Sequence, residues 1–173
     1  MALYRDGRFE NDPWRRLDAA QEPPAEGHVL LSLAAWQQLA PAKHNSNVAF
    51  GVLLQPGESA EMIADDLPRL ALVAVNFPKF TDGRGYSTAR ILRDRYKFAG
   101  ELRATGDILF DQLQLYARCG FDTLEITDPV TLGLLEAGRK PVMTHFYQPG
   151  EGAEVKDSSS PWRRRPATSA ASS

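Results

Sequence analysis

The stretch Leu70–Phe77 reads LALVAVNF. It is almost wholly apolar, rich in valine and leucine, and too short to cross a membrane. It also lacks the in–out alternation of a strand with one wet face. Such a run reads as a strand covered on both sides, the kind that builds parallel sheets. Residues 47–54, NVAFGVLL, read the same way.

Between these two runs, residues 59–67 place Met62, Ile63 and Leu67 on one side of a helix. Upstream, residues 28–31 form a short strand. Ser32 stands as an N-cap, Leu33, Trp36 and Leu39 recur at helical spacing, and Pro41 ends the helix. Downstream, residues 87–98 carry Ile91, Leu92 and Tyr96 on one helical face, and Gly100 stops them. Residues 101–105 then read as a strand. Asp107 is expected to cap a helix that runs through Tyr116, and residues 121–126 form another strand. Asp128-Pro129 opens a helix ending near Gly138, because proline suits the first helical position. Residues 141–146 read as a last strand or an extended arm.

This alternation predicts an α/β fold: a mainly parallel sheet of about five strands with flanking helices, as an open sheet or a partial barrel. The βα units are too few for a closed eight-unit barrel. Residues 1–27 are polar and punctuated, with a hairpin signal at Asp6-Gly7. They are expected to be an N-terminal hairpin arm packed on the main domain of residues 28–147. Residues 148–173 are rich in Ser, Pro, Gly and Arg and predict a disordered tail.

Charge excludes one class of function. Lys plus Arg number 20 and Asp plus Glu 22, a formal net charge of -2. A dedicated nucleic-acid binder would show a strong basic excess. No apolar run is long enough for a membrane span. Cys119 is the chain's one cysteine, so no internal disulfide and no thiolate cluster can form. This suits a cytoplasmic protein. Before the helix-stopping Gly120, Cys119 is expected to be a small buried hydrophobe. His28, His44 and His145 lack any metal-binding spacing, so no metal site is expected.

Two polar clusters follow strands. The first is residues 78–87, PKFTDGRGYS, at the carboxyl end of the second buried run. Ligands of parallel α/β sheets bind outside the carboxyl ends of strands. Lys79, Arg84 and Arg90 supply cations there, and Ser87 a hydroxyl near a helix N-terminus. An anion site is one reading. A structural turn whose arginines pair with Asp82, Asp107 or Glu125 is the other. The loop is neither a dinucleotide fingerprint nor a P-loop, and no cofactor motif appears elsewhere. The second cluster is residues 100–107, GELRATGD. Glu101 and Arg103 share a strand face. Arg103 either pairs with Glu125 or Asp82, or faces a ligand. The anion-site reading has Arg84, Ser87 and Arg103 converging on one anion. Asp82 and Asp107 are the candidate acid/base groups if the chain is an enzyme.

The run AVNFPKFTDGRGYSTARILRDRY, then GELRATGD, then DQLQLYARCGFD, resembles a bacterial family of unknown function that often carries an oxidoreductase label. Its genes commonly lie beside those of assimilatory sulfite reductase and of adenylylsulfate or phosphoadenylylsulfate reductase. The resemblance covers residues 3–147. One departure is Asn76, where the family is associated with an acidic residue. The resemblance implies a place in sulfate assimilation and cysteine biosynthesis and carries no established reaction. The residues give the oxidoreductase label no flavin, nicotinamide, haem or cluster motif.

Two functions are therefore expected. One is an accessory protein of sulfite reduction that binds sulfite reductase or a small oxyanion through Lys79, Arg84, Ser87, Arg90 and Arg103. Arginine-rich clusters suit such oxyanions. The alternative is a small-molecule enzyme with its site at the carboxyl ends of the strands.

Overall fold

A computed structural model describes residues 2–18, 21–39, 47–79 and 81–140. Among these residues there are eight strands and four α-helices. The strands are β1 (Ala2–Arg5), β2 (Arg8–Glu10), β3 (Trp14–Leu17), β4 (Gly27–Ser32), β5 (Val48–Leu54), β6 (Leu70–Phe77), β7 (Glu101–Gly106) and β8 (Thr123–Ile126). The helices are α1 (Leu33–Gln38), α2 (Arg84–Arg90), α3 (Leu113–Arg118) and α4 (Pro129–Glu136). A 3-10 segment spans Ala60–Arg69, and α2 runs on into one π-turn at Ile91–Arg95.

All eight strands form one sheet in the order β2-β1-β8-β7-β6-β5-β4-β3. From β3 to β8 every neighbour is parallel and in chain order, while β1 pairs antiparallel with both β2 and β8. The expectation of about five parallel strands is thus corrected to a mixed sheet of eight. The five expected strands are β4 to β8. The other three come from the segment expected to be an arm. Their apolar signal is weak because β2 is exposed along its length and β3 buries little besides Leu17.

The sheet is open but strongly curled. Its two edge strands, β2 and β3, are joined by Asn11, Asp12 and Pro13 alone. Four Cα–Cα steps of about 3.8 Å span at most ~15 Å, so the edges must approach one another. The Asp6-Gly7 hairpin forms as expected, with φ of 46° and 84° at its two turn residues. Both lie in the left-handed region that a tight two-residue hairpin demands.

The helices pack on the convex face. Val29, Leu31, Val52, Val73, Val75, Leu102, Ala104, Leu124 and Ile126 point that way and bury against Leu33, Trp36, Ile63, Leu92, Leu113 and Leu135. Apolar burial of this kind is the main source of stability. Short local signals fix the helix starts. Ser32 Oγ accepts from Ala35 N at 3.2 Å, and the Asp128 carboxylate accepts from Thr131 N at 2.7 Å, with Pro129 in the first turn.

Two expectations about helices change. The helix after β6 starts at Arg84 rather than Ser87. Asp107 does not cap a helix. Gly106 has φ +102°, and that turn sends the Asp107 amide to the Phe77 carbonyl at 2.7 Å. The chain becomes 3-10 at Phe110–Gln112 and α-helical only from Leu113. The strand or arm expected at 141–146 and the tail expected at 148–173 lie outside the described residues, as do Pro41, His44 and His145.

Candidate functional site

The concave face of the sheet is built by the side chains that alternate with the convex core. At the amino ends of the strands it is filled by charge. Arg103, with no solvent exposure, donates Nη1 to Asp12 Oδ2 at 2.7 Å and Nη2 to Glu101 Oε1 at 2.9 Å. Glu101 also accepts from Thr123 Oγ1 at 2.7 Å and pairs with Arg5 at 2.9 Å. A buried guanidinium is tolerated because carboxylates surround it. Arg103 therefore pairs, but with Glu101 and Asp12 rather than with Glu125 or Asp82.

At the carboxyl ends the concave face becomes polar and less charged. Asn76 Nδ2 donates to Gln55 Oε1 at 2.7 Å, and Thr105 Oγ1 to Asn76 Oδ1 at 3.4 Å. Above β5 and β6, Gln55 and Asn76 line a cleft of about 160 Å³. Its walls are the turn Gln55–Ser59 and the start of α2, with Asp82, Arg84, Gly85 and Thr88. The close fit of helix to strand here depends on Gly85, because any Cβ there would run into the Phe77 ring.

Arg84 donates Nε to Asp82 Oδ1 at 2.9 Å and Nη2 to Asp82 Oδ2 at 2.7 Å. This fork holds the Asp82 carboxyl down at about 2. The Arg84 side chain remains 69% exposed. Lys79, Ser87 and Arg90 are also exposed, and Arg90 lies 3.4 Å from Asp94. Of the five expected anion-binding residues, Arg84 alone lines the cleft. Lys79, Ser87 and Arg90 stand on the adjoining loop and helix surface, and Arg103 lies within the charged amino-end network. Of the two candidate acid/base groups, Asp82 lines the cleft, and Asp107 sits on the turn after β7.

Sequence reasoning missed Gln55, Ser59 and Thr88 on the cleft wall and Asp12 and Arg16 on the concave face. Arg16 Nη2 bonds both oxygens of Glu125, at 2.8 and 2.7 Å. The run Gln55-Pro56-Gly57 is itself a turn signal at the cleft's rim, but no local signal ties β3 to β8. Cys119 is buried, and burial pushes its thiol up from its ordinary range. Among the described residues, no cluster of three or more His, Cys, Asp or Glu is arranged to hold a metal. No helix there is long and apolar enough to cross a membrane.

The family model described as "Bacterial protein of unknown function (DUF934)" matches residues 51–156. No curated protein and no solved structure matches the chain.

Proposed function

The chain belongs to this family of bacterial proteins of unknown function, and from that premise we propose that it is an accessory protein of assimilatory sulfate and sulfite reduction. In this reading it binds a small oxyanion at the carboxyl-end cleft and serves sulfite reductase. The observation that carries the reading is Arg84, on the cleft wall and largely open to solvent. Exposed ion pairs are weak, so a sulfite or sulfate ion can take the place of Asp82 on the guanidinium. The amides of Gln55 and Asn76 and the hydroxyls of Ser59 and Thr88 stand round the same space. The volume suits a small ligand. The place in sulfur assimilation is what the resemblance of the quoted sequence blocks implies.

Binding is favoured over acid/base catalysis by the state of Asp82. A carboxyl held at about 2 stays ionised near neutrality and is a poor proton donor or acceptor there. Lys79, Ser87 and Arg90, exposed beside the cleft, offer a surface on which sulfite reductase docks.

Calorimetric titration with sulfite and with sulfate tests the reading, using wild-type protein and Arg84→Ala. Binding weakened about tenfold or more is expected, the scale of one or two lost charge-assisted hydrogen bonds. A deletion strain should grow poorly on sulfate and recover with sulfide or cysteine. Wild-type growth on sulfate would overturn the proposal, as would a purified protein that carries flavin or haem.

A further inference from the structure

Five of the six parallel strands present their penultimate residue to the concave face: Arg16 on β3, Leu53 on β5, Asn76 on β6, Thr105 on β7 and Glu125 on β8. Leu53 packs with the concave cluster of Leu30, Leu72 and Ala74. Asn76 and Thr105 are joined by a hydrogen bond, and Arg16 and Glu125 by an ion pair. These residues rim the carboxyl-end mouth of the curled sheet, where side chains from several strands converge on one ligand.

The ion pair is asymmetric. The Glu125 side chain is 6% exposed and the Arg16 side chain 49%. Glu125 holds a single nitrogen, Nη2, with both of its oxygens. A guanidinium has five N–H donors in a fixed plane. Glu125 thus anchors Arg16 from the buried side, while Nε and Nη1 lie outside that contact and the side chain stays half open to solvent. An arginine fixed in this way is pre-organised for a planar or tetrahedral oxyanion.

We infer that Arg16, anchored by Glu125, is an anion-binding group at the mouth of the curled sheet, and that it holds a sulfate-, sulfite- or carboxylate-type ligand there with the second Nδ2 hydrogen of Asn76 as a hydrogen-bonding partner, Thr105 fixing the Asn76 amide from behind. The inference shares with the proposed function its small-anion chemistry, and it assigns that chemistry to a different arginine. Leu53, partly exposed beside the polar rim, offers apolar surface to a short organic body, so small organic carboxylates belong to the ligand class alongside the inorganic ions.

The test is calorimetric titration of the full chain with sodium sulfate, sodium sulfite and sodium succinate in turn. Wild type, Arg16→Ala, Thr105→Val and Arg84→Ala are compared. Arg16→Ala should weaken anion binding at the mouth at least tenfold and Thr105→Val severalfold, while Arg84→Ala weakens only the separate binding event at the cleft. Arg16→Ala leaves Glu125 unpaired and can unfold the protein. The double variant Arg16→Met with Glu125→Gln removes both charges and should show the same loss with a native circular dichroism spectrum. A loss confined to Arg84→Ala overturns this inference and leaves the proposed function standing. A loss confined to the Arg16 variants does the reverse for the Arg84 site. If none of the three anions binds wild type at millimolar concentration, both are overturned.

Discussion

Arg103 and Asp12, 91 residues apart in the chain, meet at 2.7 Å inside the curled sheet. Asp12 uses its other oxygen to accept from Trp14 N at 3.0 Å, so one carboxylate both turns the chain into β3 and neutralises a buried cation. Asp12→Asn preserves the turn and removes the charge. It should lower the unfolding free energy by about 1.5–3 kcal/mol, the worth of a hydrogen bond to a charged group. Asp12→Ala loses the turn as well and should fall further. Urea denaturation of both variants checks the order; an Asn variant as stable as wild type would refute the role given to Asp12.

Arg93 ties two strand starts together, those of β7 and β8. It donates Nε to the Gly120 carbonyl and Nη1 to the Gly100 carbonyl, each at 3.0 Å, and Nη2 to Asp122 at 2.6 Å, with a further bond to the Phe98 carbonyl. Arg93→Lys keeps the charge but cannot reproduce the fork. A loss of at least about 2 kcal/mol is expected, since charged hydrogen bonds are worth roughly 1.5–3 kcal/mol each. The measurement is the shift in denaturation midpoint at constant slope.

Gly106→Ala should destabilise the fold by about 1–3 kcal/mol, the usual cost of a strained backbone position. The residue has φ +102°, and an added Cβ would press on the Phe77 carbonyl and lie 2.8 Å from Asn76 Oδ1. The second contact also disturbs the cleft floor. A variant that melts at the wild-type temperature would contradict this geometry.

Stability should fall on the alkaline side. Burial raises Cys119, Tyr86 and Tyr116 above their ordinary ranges. A group whose folded pKa is raised gives its full stabilisation below its unfolded value and loses it as the pH climbs through the folded one. Denaturation midpoints should therefore hold up to the ordinary thiol range and drop above it. Cys119 should react with a thiol reagent at pH 8 only as fast as the protein unfolds. A flat profile to pH 11, or prompt labelling of native protein, is the contrary result.

The acid side is set by carboxylates. Backbone hydrogen bonding at the start of α4 lowers Asp128, and Arg84 lowers Asp82. Their contribution is present above the ordinary carboxyl pKa and disappears as pH falls through the folded values. Asp128→Ala should melt earlier than wild type at pH 7, with the difference shrinking below pH 3.

The legible part of the sequence was the part whose signal is local. Val48–Leu54 and Leu70–Phe77 announce buried strands by composition, and Ser32 and Asp128-Pro129 announce helix starts by capping chemistry. Asp6-Gly7 announced a hairpin but could not say what it pairs with. Trp14–Leu17 was illegible because its strand character depends on β4, and three of its four residues keep solvent contact. The loop with Arg84 and Asp82 was found because charged turns after buried strands are recognisable. The partners of Arg103 and Glu125 were not, because Asp12 and Arg16 reach them only when the sheet curls, a fact no short window contains.

The pairing of Ala2 with Ile126 and of Arg5 with Thr123 has a consequence for biogenesis. Strand β1 meets β2 at once but finds its second neighbour, β8, only after the last described strand has been made. Until then its hairpin is an unclaimed edge, and the charged groups of β7 lack Arg5 and Asp12. Strands β4 to β7 assemble from neighbours as they emerge. The β1–β2 hairpin docks on β8 at the end, a slow step of high sequence separation. A nascent chain stopped before β8 is therefore a sticky intermediate, with the β1–β2 edge still unclaimed.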